Sequence, residues 1–237
     1  MSSQERKTES SKKPISPFML RVLRVTDEII LRVTKHWLGL MIVGMFIFQA
    51  LPWVAPYLMQ AGFTTQAEWI YAAYAPTCHQ LAYRSFFMYG KQPAYTAEEL
   101  QAHMETEHAA SDLMFWRAFT GDTQVGFKTA YCERDAAIYT TAWLLLIAYA
   151  LLRRVRPVKE LSVRMFLIVF VPPIALDGFT QLFGLRESSA LLRVLTGTWF
   201  AIGGAWFVLP RVDEALRELY ADTARQLERV KARDAGD

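Results

Sequence analysis

His36-Trp-Leu-Gly-Leu-Met-Ile-Val-Gly-Met-Phe-Ile-Phe-Gln-Ala-Leu-Pro-Trp-Val-Ala-Pro-Tyr57 is the stretch that decides the fold. It is an apolar run with Trp37 and Trp53 near its ends, where interfacial aromatics of a membrane span sit. About 20 such residues cross a bilayer as helix. Pro52 and Pro56 are expected to bend or end it. Outward from this run, three more follow at about 136–152, 164–185 and 190–209. The second is near the lower limit for a crossing. The third contains Pro172-Pro173 and Asp177. In the fourth, Gly197, Ala201 and Ala205 recur every fourth residue, a stripe that lets helices pack closely in lipid. The expected fold is all-α: an integral membrane protein with four transmembrane helices.

Composition points the same way. Of 237 residues, 53% are hydrophobic, and they are bunched, as in transmembrane chains. A net charge of +3 suggests no nucleic-acid partner. Residues 1–17 are polar, basic and poor in aromatics, and read as a disordered tail rather than a secretory signal. The first span is therefore expected to stay as a signal anchor. Residues 18–35 alternate Leu20, Leu23, Ile29 and Val33 with Arg21, Arg24, Arg32 and Lys35. They suit an amphipathic juxtamembrane helix or a helical extension of the first span. Residues 36–209 form the membrane domain, and 210–237 a charged helix and tail.

Basic residues fix the expected orientation. They crowd the first 35 residues, the loop with Arg153, Arg154, Arg156 and Lys159, and the C-terminal tail. The positive-inside rule then puts both termini in the cytoplasm of a multi-pass inner (plasma) membrane protein. Residues 58–131 become a long extracytoplasmic segment. Within it, 68–89 reads as an interfacial helix broken near Pro76, 96–109 as an acidic helix with a Thr96/Glu99 capping box, and 121–126 as a turn.

Both cysteines reach that outer face. One lies in Ala75-Pro-Thr-Cys78-His79-Gln80, just after the first span. The other lies in Tyr131-Cys132-Glu-Arg134-Asp135, just before the second. Thiolate, imidazole and carboxylate are all zinc ligands, and Cys132 and Asp135 share a face if helical. The residues alone leave three readings open. A Cys78–Cys132 disulfide is favoured by an oxidising compartment, a Cys78/His79/Cys132/Asp135 metal site comes second, and unpaired thiols third.

Asp177 lies inside the third span, with Gln181 four residues on. A carboxylate in hydrocarbon must face the bundle and find a partner. Arg193, entering the fourth span from the same end, is the first expected partner, before Arg84, Arg134 and Arg186. A structural Asp–Arg bridge weighs at least as much as a catalytic role for Asp177 as base, ligand or proton carrier. His103 and His108 read as surface residues. Nucleotide-loop, Rossmann, zinc-protease, haem-attachment and serine-hydrolase motifs are absent.

Three motifs together resemble DUF2085, a family of bacterial and archaeal membrane proteins without assigned function. They are Cys78-His79-Gln80-Leu-Ala-Tyr-Arg84-Ser85-Phe86, then Cys132-Glu-Arg134-Asp135, then Asp177-Gly178-Phe-Thr-Gln181 with Arg186-Glu-Ser188 and Arg193-Val-Leu-Thr196-Gly197. The chain departs from the family pattern twice. Asp135 stands where the family has a second cysteine, and an acidic insertion covers about 93–125. The family's Cys-His plus two Cys looks like a zinc-type ligand set, so the resemblance ranks metal, zinc or iron, above the disulfide. It implies a metal site of Cys78, His79, Cys132 and Asp135, surrounded by Arg84, Arg134, Asp177, Gln181 and Arg193. A lipid-linked substrate is the natural class for such an interfacial pocket. The alternative is a non-catalytic accessory subunit of a membrane complex, braced by the disulfide and bound to a membrane-protein partner or a second copy.

Overall fold

The structure is a computed structural model and describes residues 17–105 and 112–234. The tail before Pro17, and His108 with the end of the acidic helix, lie outside the described residues. Among the described residues, four helices are long and apolar enough to cross a membrane.

They begin with α1 (Pro17–Gln60) and α5 (Glu133–Leu152). The third span is α6 (Val163–Met165), a π-helical turn (Phe166–Phe170) and α7 (Val171–Leu182). The fourth is α8 (Ala190–Asp234). Their flanks expose apolar side chains such as Leu40, Val43, Ile47, Leu176 and Phe179, a surface that suits lipid rather than water. At about 1.5 Å per residue, α1 and α8 each outrun the hydrocarbon core.

Two compact units divide the chain. One comprises the described parts of residues 1–37 and 214–237, where Asp27, Thr34, Thr223 and Leu227 are buried. The other, residues 38–213, holds the bundle and the segment between the first and second spans.

Of the two outcomes expected for the prolines of α1, bending or ending it, the second does not occur: Pro52 and Pro56 both lie inside the helix. Proline lacks an N–H, so the carbonyl four residues earlier loses its donor. For Pro52 that is Phe48, and its carbonyl accepts the Tyr74 hydroxyl at 2.5 Å. The third span repeats the device. Pro173 releases the Val169 carbonyl, which accepts Trp199 Nε1–H at 3.0 Å. The adjoining π-helical turn seats Phe170 where Gly203 of α8 leaves room.

The interspan segment differs from its sequence reading. α2 (Thr64–Tyr74) stops before Pro76, and the chain passes through a 3-10 turn (Ala82–Arg84) into β1 (Ser85–Met88). The expected helix over 68–89 is thus helical only as far as Tyr74, and its far end is the four-residue strand β1. Ser85 and Phe87 point inward and Phe86 and Met88 are half-buried, a period of two that suits a sheet face. Next come α3 (Ala97–Met104), which begins with the expected capping box, and α4 (Leu113–Ala118). The hairpin of β2 (Gly121–Asp122) and β3 (Gly126–Cys132) follows.

The sheet is antiparallel in the order β1-β3-β2, with Ser85 opposite Cys132 and Phe87 opposite Lys128. Its tight turn requires Gly126, at φ +82°, where a Cβ would stand 2.2 Å from the Met88 carbonyl oxygen. The small sheet leaves the chain an all-α membrane protein, but it positions the site. β3 is buried along nearly its whole length and runs directly into α5.

Candidate metal and arginine site

Cys78 and Cys132 converge because β1 and β3 pair. Cys132 is the last residue of β3 and the N-cap of α5. Its backbone N–H donates to Cys78 Sγ at 3.1 Å, and the Gln80 N–H donates to the same sulfur at 3.4 Å. Gln80 can do so because it adopts a left-handed φ of +55°. Its side chain holds that turn in place, donating through Nε2 to the carbonyls of Tyr71 and Ala130, each at 2.8 Å.

Asp135 stands one turn into α5, where the helix N-terminus favours negative charge. Its Oδ2 is 3.2 Å from Cys132 Sγ. The ligand atoms of Cys78, Cys132 and Asp135 all lie within 4.8 Å of one another. The neighbouring Cys78 sulfur, burial and the Asp135 carboxylate together push the Cys132 thiol well above its ordinary range. Three groups that can each carry negative charge are thus held close in a partly dry place, which is the electrostatic setting a divalent cation satisfies. The donor set, two sulfurs and one carboxylate oxygen, fits zinc. His79 is exposed and stands outside this trio, although it lines the same cavity. Both cysteines are free, so the structure contains no Cys78–Cys132 disulfide.

That cavity has a volume of about 200 Å³ and also reaches Arg84, Arg134, Gln181 and Arg193. Beneath it lies Asp177, only 2% exposed. Its partners correct the sequence reading. Arg134 bonds one carboxylate oxygen and Arg186 the other, the latter at 2.8 Å. The chain turns back after α7 at Gly184 (φ +65°), which returns Arg186 to Asp177. Arg193 is held elsewhere: its NH1 donates to Glu133 at 2.8 Å and its NH2 to Glu187 at 2.5 Å. Both oxygens of Asp177 are occupied by guanidinium groups, an arrangement that suits a bridge between α5 and α7 better than a proton acceptor.

Gln181 ties the two ion-pair systems together, accepting from Arg134 at 2.9 Å and donating to Glu187 at 2.8 Å. Glu187 also takes Arg84 bidentately, at 2.9 and 2.8 Å.

Several of these residues escaped the sequence reading. Glu133 sits beside Cys132, and an acid opening an apolar span was the available signal. Glu187 and Gln80 carried none. Lys128 interrupts the apolar run Val125–Tyr131, and its burial within β3 shows only in the fold. Its Nζ donates to the carbonyls of Gln80 and Arg117 at 2.8 and 2.7 Å. Burial pushes its ammonium down to about 7.

The fold and the cluster define a class: a multi-pass α-helical membrane protein with a Cys/Cys/Asp cluster at one end of its spans. Residues 123–207 match the family described as "Predicted membrane protein (DUF2085)", in agreement with the resemblance carried by the second and third motifs. An uncharacterized protein of Methanocaldococcus jannaschii, MJ1492, is 28% identical over 181 residues, which cover 74% of this chain and 92% of that protein. An uncharacterized protein of Methanothermobacter thermautotrophicus is 40% identical over 73 residues, 30% of this chain and 62% of that protein. No solved structure matches this chain. Cys132, Asp135, Asp177 and Arg193 fall inside the family match; Cys78 precedes it.

Proposed function

We propose that this protein binds a divalent metal ion, zinc before iron, through Cys78, Cys132 and Asp135 at the extracytoplasmic face of the plasma membrane. One observation carries the reading: the three ligand atoms lie within 4.8 Å of one another on the wall of a cavity. Three protein ligands leave a fourth position of a tetrahedral zinc open, as in sites that act on a substrate. His79 lines the same cavity and is the nearest candidate to close that position where the site is purely structural. A zinc ion there would polarise an oxygen or activate a water, while Arg84, Arg134 and Arg193 hold charge opposite it. The site stands where apolar spans end, so a lipid-linked or amphiphilic substrate is the class it suits. The basic residues around 1–35, 153–159 and 211–233 support an orientation with both termini inside.

Elemental analysis of the purified full-length protein tests this, paired with a thiol count under denaturing conditions. Near-stoichiometric zinc with two free thiols is expected, and Cys132→Ser should lose the metal. No metal and no free thiols would overturn the reading and leave a disulfide-braced accessory subunit.

A further inference from the structure

Three arginines, Arg84, Arg134 and Arg193, line the cavity together with the cysteines. Arg84, Arg134, Arg186 and Arg193 pair with three carboxylates, those of Asp177, Glu133 and Glu187, and Asp135 on the cysteine side of the same cavity is a fourth, so the charges balance and positive charge is in excess only with a cation at the cysteines. Arg193 has only 4% of its side chain exposed, yet it lines both the cysteine cavity and a neighbouring one of about 440 Å³. Its Nε–H is buried and has no hydrogen-bond partner, and the same holds for Arg134 Nε. Buried guanidinium donors without an acceptor are costly, and the cost marks this arginine cluster as incompletely satisfied by its carboxylates.

Glu187 shows which acceptor fits. One carboxylate, carried on the loop between α7 and α8, takes both the Arg84 fork and Arg193 NH2. Guanidinium forks match the paired oxygens of carboxylate and phosphate. With about 200 Å³, the cavity falls below the volume of drug-sized sites and suits a small headgroup.

We propose that this cavity binds an oxyanion of the phosphate or pyrophosphate class, held by Arg84, Arg134 and Arg193 against the Cys78/Cys132/Asp135 wall. The proposal rests on the metal reading for that wall alone; the arginine wall stands on its own contacts. Glu187 competes with the ligand for the same two arginines. The phosphate can belong to a soluble anion or to a lipid headgroup, and the chemistry of recognition is shared.

The test uses the full-length protein in nanodiscs of zwitterionic lipid, titrated with inorganic pyrophosphate by calorimetry, with zinc measured in each sample. Saturable binding near one equivalent is expected. Arg84→Gln, a half-exposed position, should weaken it about tenfold by removing a charge-assisted fork. Glu187→Gln should tighten it by removing the competing carboxylate, a gain that misfolding cannot mimic. In discs doped with phosphatidic acid, loss of pyrophosphate binding assigns the site to a lipid headgroup, and unaltered binding assigns it to a soluble anion; both outcomes support the site. No binding in either disc, or equal binding by wild type and both variants, overturns the proposal. Zinc retained without anion binding defeats the anion site alone. Anion binding that responds to both variants without zinc defeats the metal reading alone.

Discussion

Arg193 of α8 and Glu133 of α5 meet at 2.8 Å with side chains 4% and 1% exposed, Glu133 being next in sequence to Cys132. Removing one partner of such a pair leaves the other charge buried. Arg193→Met is therefore expected to lower stability by about 3–5 kcal/mol. The double variant Arg193→Met/Glu133→Gln should recover much of the loss. Thermal unfolding in detergent measures both, and equal losses in the single and double variants would refute the pairing.

Asp135 is the one oxygen donor of the proposed Cys78/Cys132/Asp135 set, which makes its replacement informative. Asp135→Cys should slow the loss of zinc to a chelator, because a third thiolate softens the ligand set. Asp135→Asn should speed it. Metal-transfer kinetics with a colorimetric chelator report both, and identical rates in all three proteins would remove Asp135 from the ligand set.

Tyr74 serves the carbonyl that Pro52 releases. Tyr74→Phe strands the Phe48 carbonyl and should cost about 1–3 kcal/mol. Pro52→Ala restores the helical donor, so the double variant should lose less than Tyr74→Phe alone. A double-mutant cycle by denaturant unfolding shows whether the two positions are coupled.

Lys128 makes stability depend on pH. Its folded value, pushed down to about 7 by burial, lies below the ordinary 10.5 of an unfolded lysine. Between these values the unfolded chain binds more protons than the folded one, so stability rises as pH climbs from about 7 toward 10.5, and this contribution is lost as pH falls through 7. Lys128→Met should flatten that rise. The difference in melting temperature between wild type and variant, followed from pH 6 to pH 10, is the measurement; parallel curves would show that Lys128 does not titrate in that window.

Gly203 faces Phe170 so closely that a Cβ would stand 2.2 Å from the ring. Gly203→Ala should cost about 1–3 kcal/mol through overpacking. Phe170→Leu in the same chain should relieve part of it. Unfolding of the three variants in one detergent compares them.

The spans were legible because hydrocarbon demands long apolar helices, and runs such as 36–57 announce that demand directly. The cysteine pair was legible from its position between spans: both residues had to reach one end of the bundle. The interspan sheet was not. Ser85–Met88 carries two adjacent phenylalanines and no turn signal of its own, and it is a strand only because β3 lies beside it. The partner of Asp177 was misread for a related reason. Counting along the spans brought Arg193 to the right depth but could not show Glu133 already beside it, nor Gly184 turning Arg186 back. Capping and turn chemistry, by contrast, is local, and both the Thr96/Glu99 box and the 121–126 turn stand as read.

β3 enters α5 without a linker, and Cys132 is the hinge pin between them. Cys78 is carried by the interspan loop, Cys132 by the end of β3 where it enters the span, and Asp135 by the span itself. A helix that tilts to match its bilayer therefore moves Asp135, and the Cys132 junction with it, relative to Cys78. Were a metal ion held there, its grip would follow the thickness of the surrounding lipid, and a fragment cut before residue 132 would keep Cys78 alone of the three.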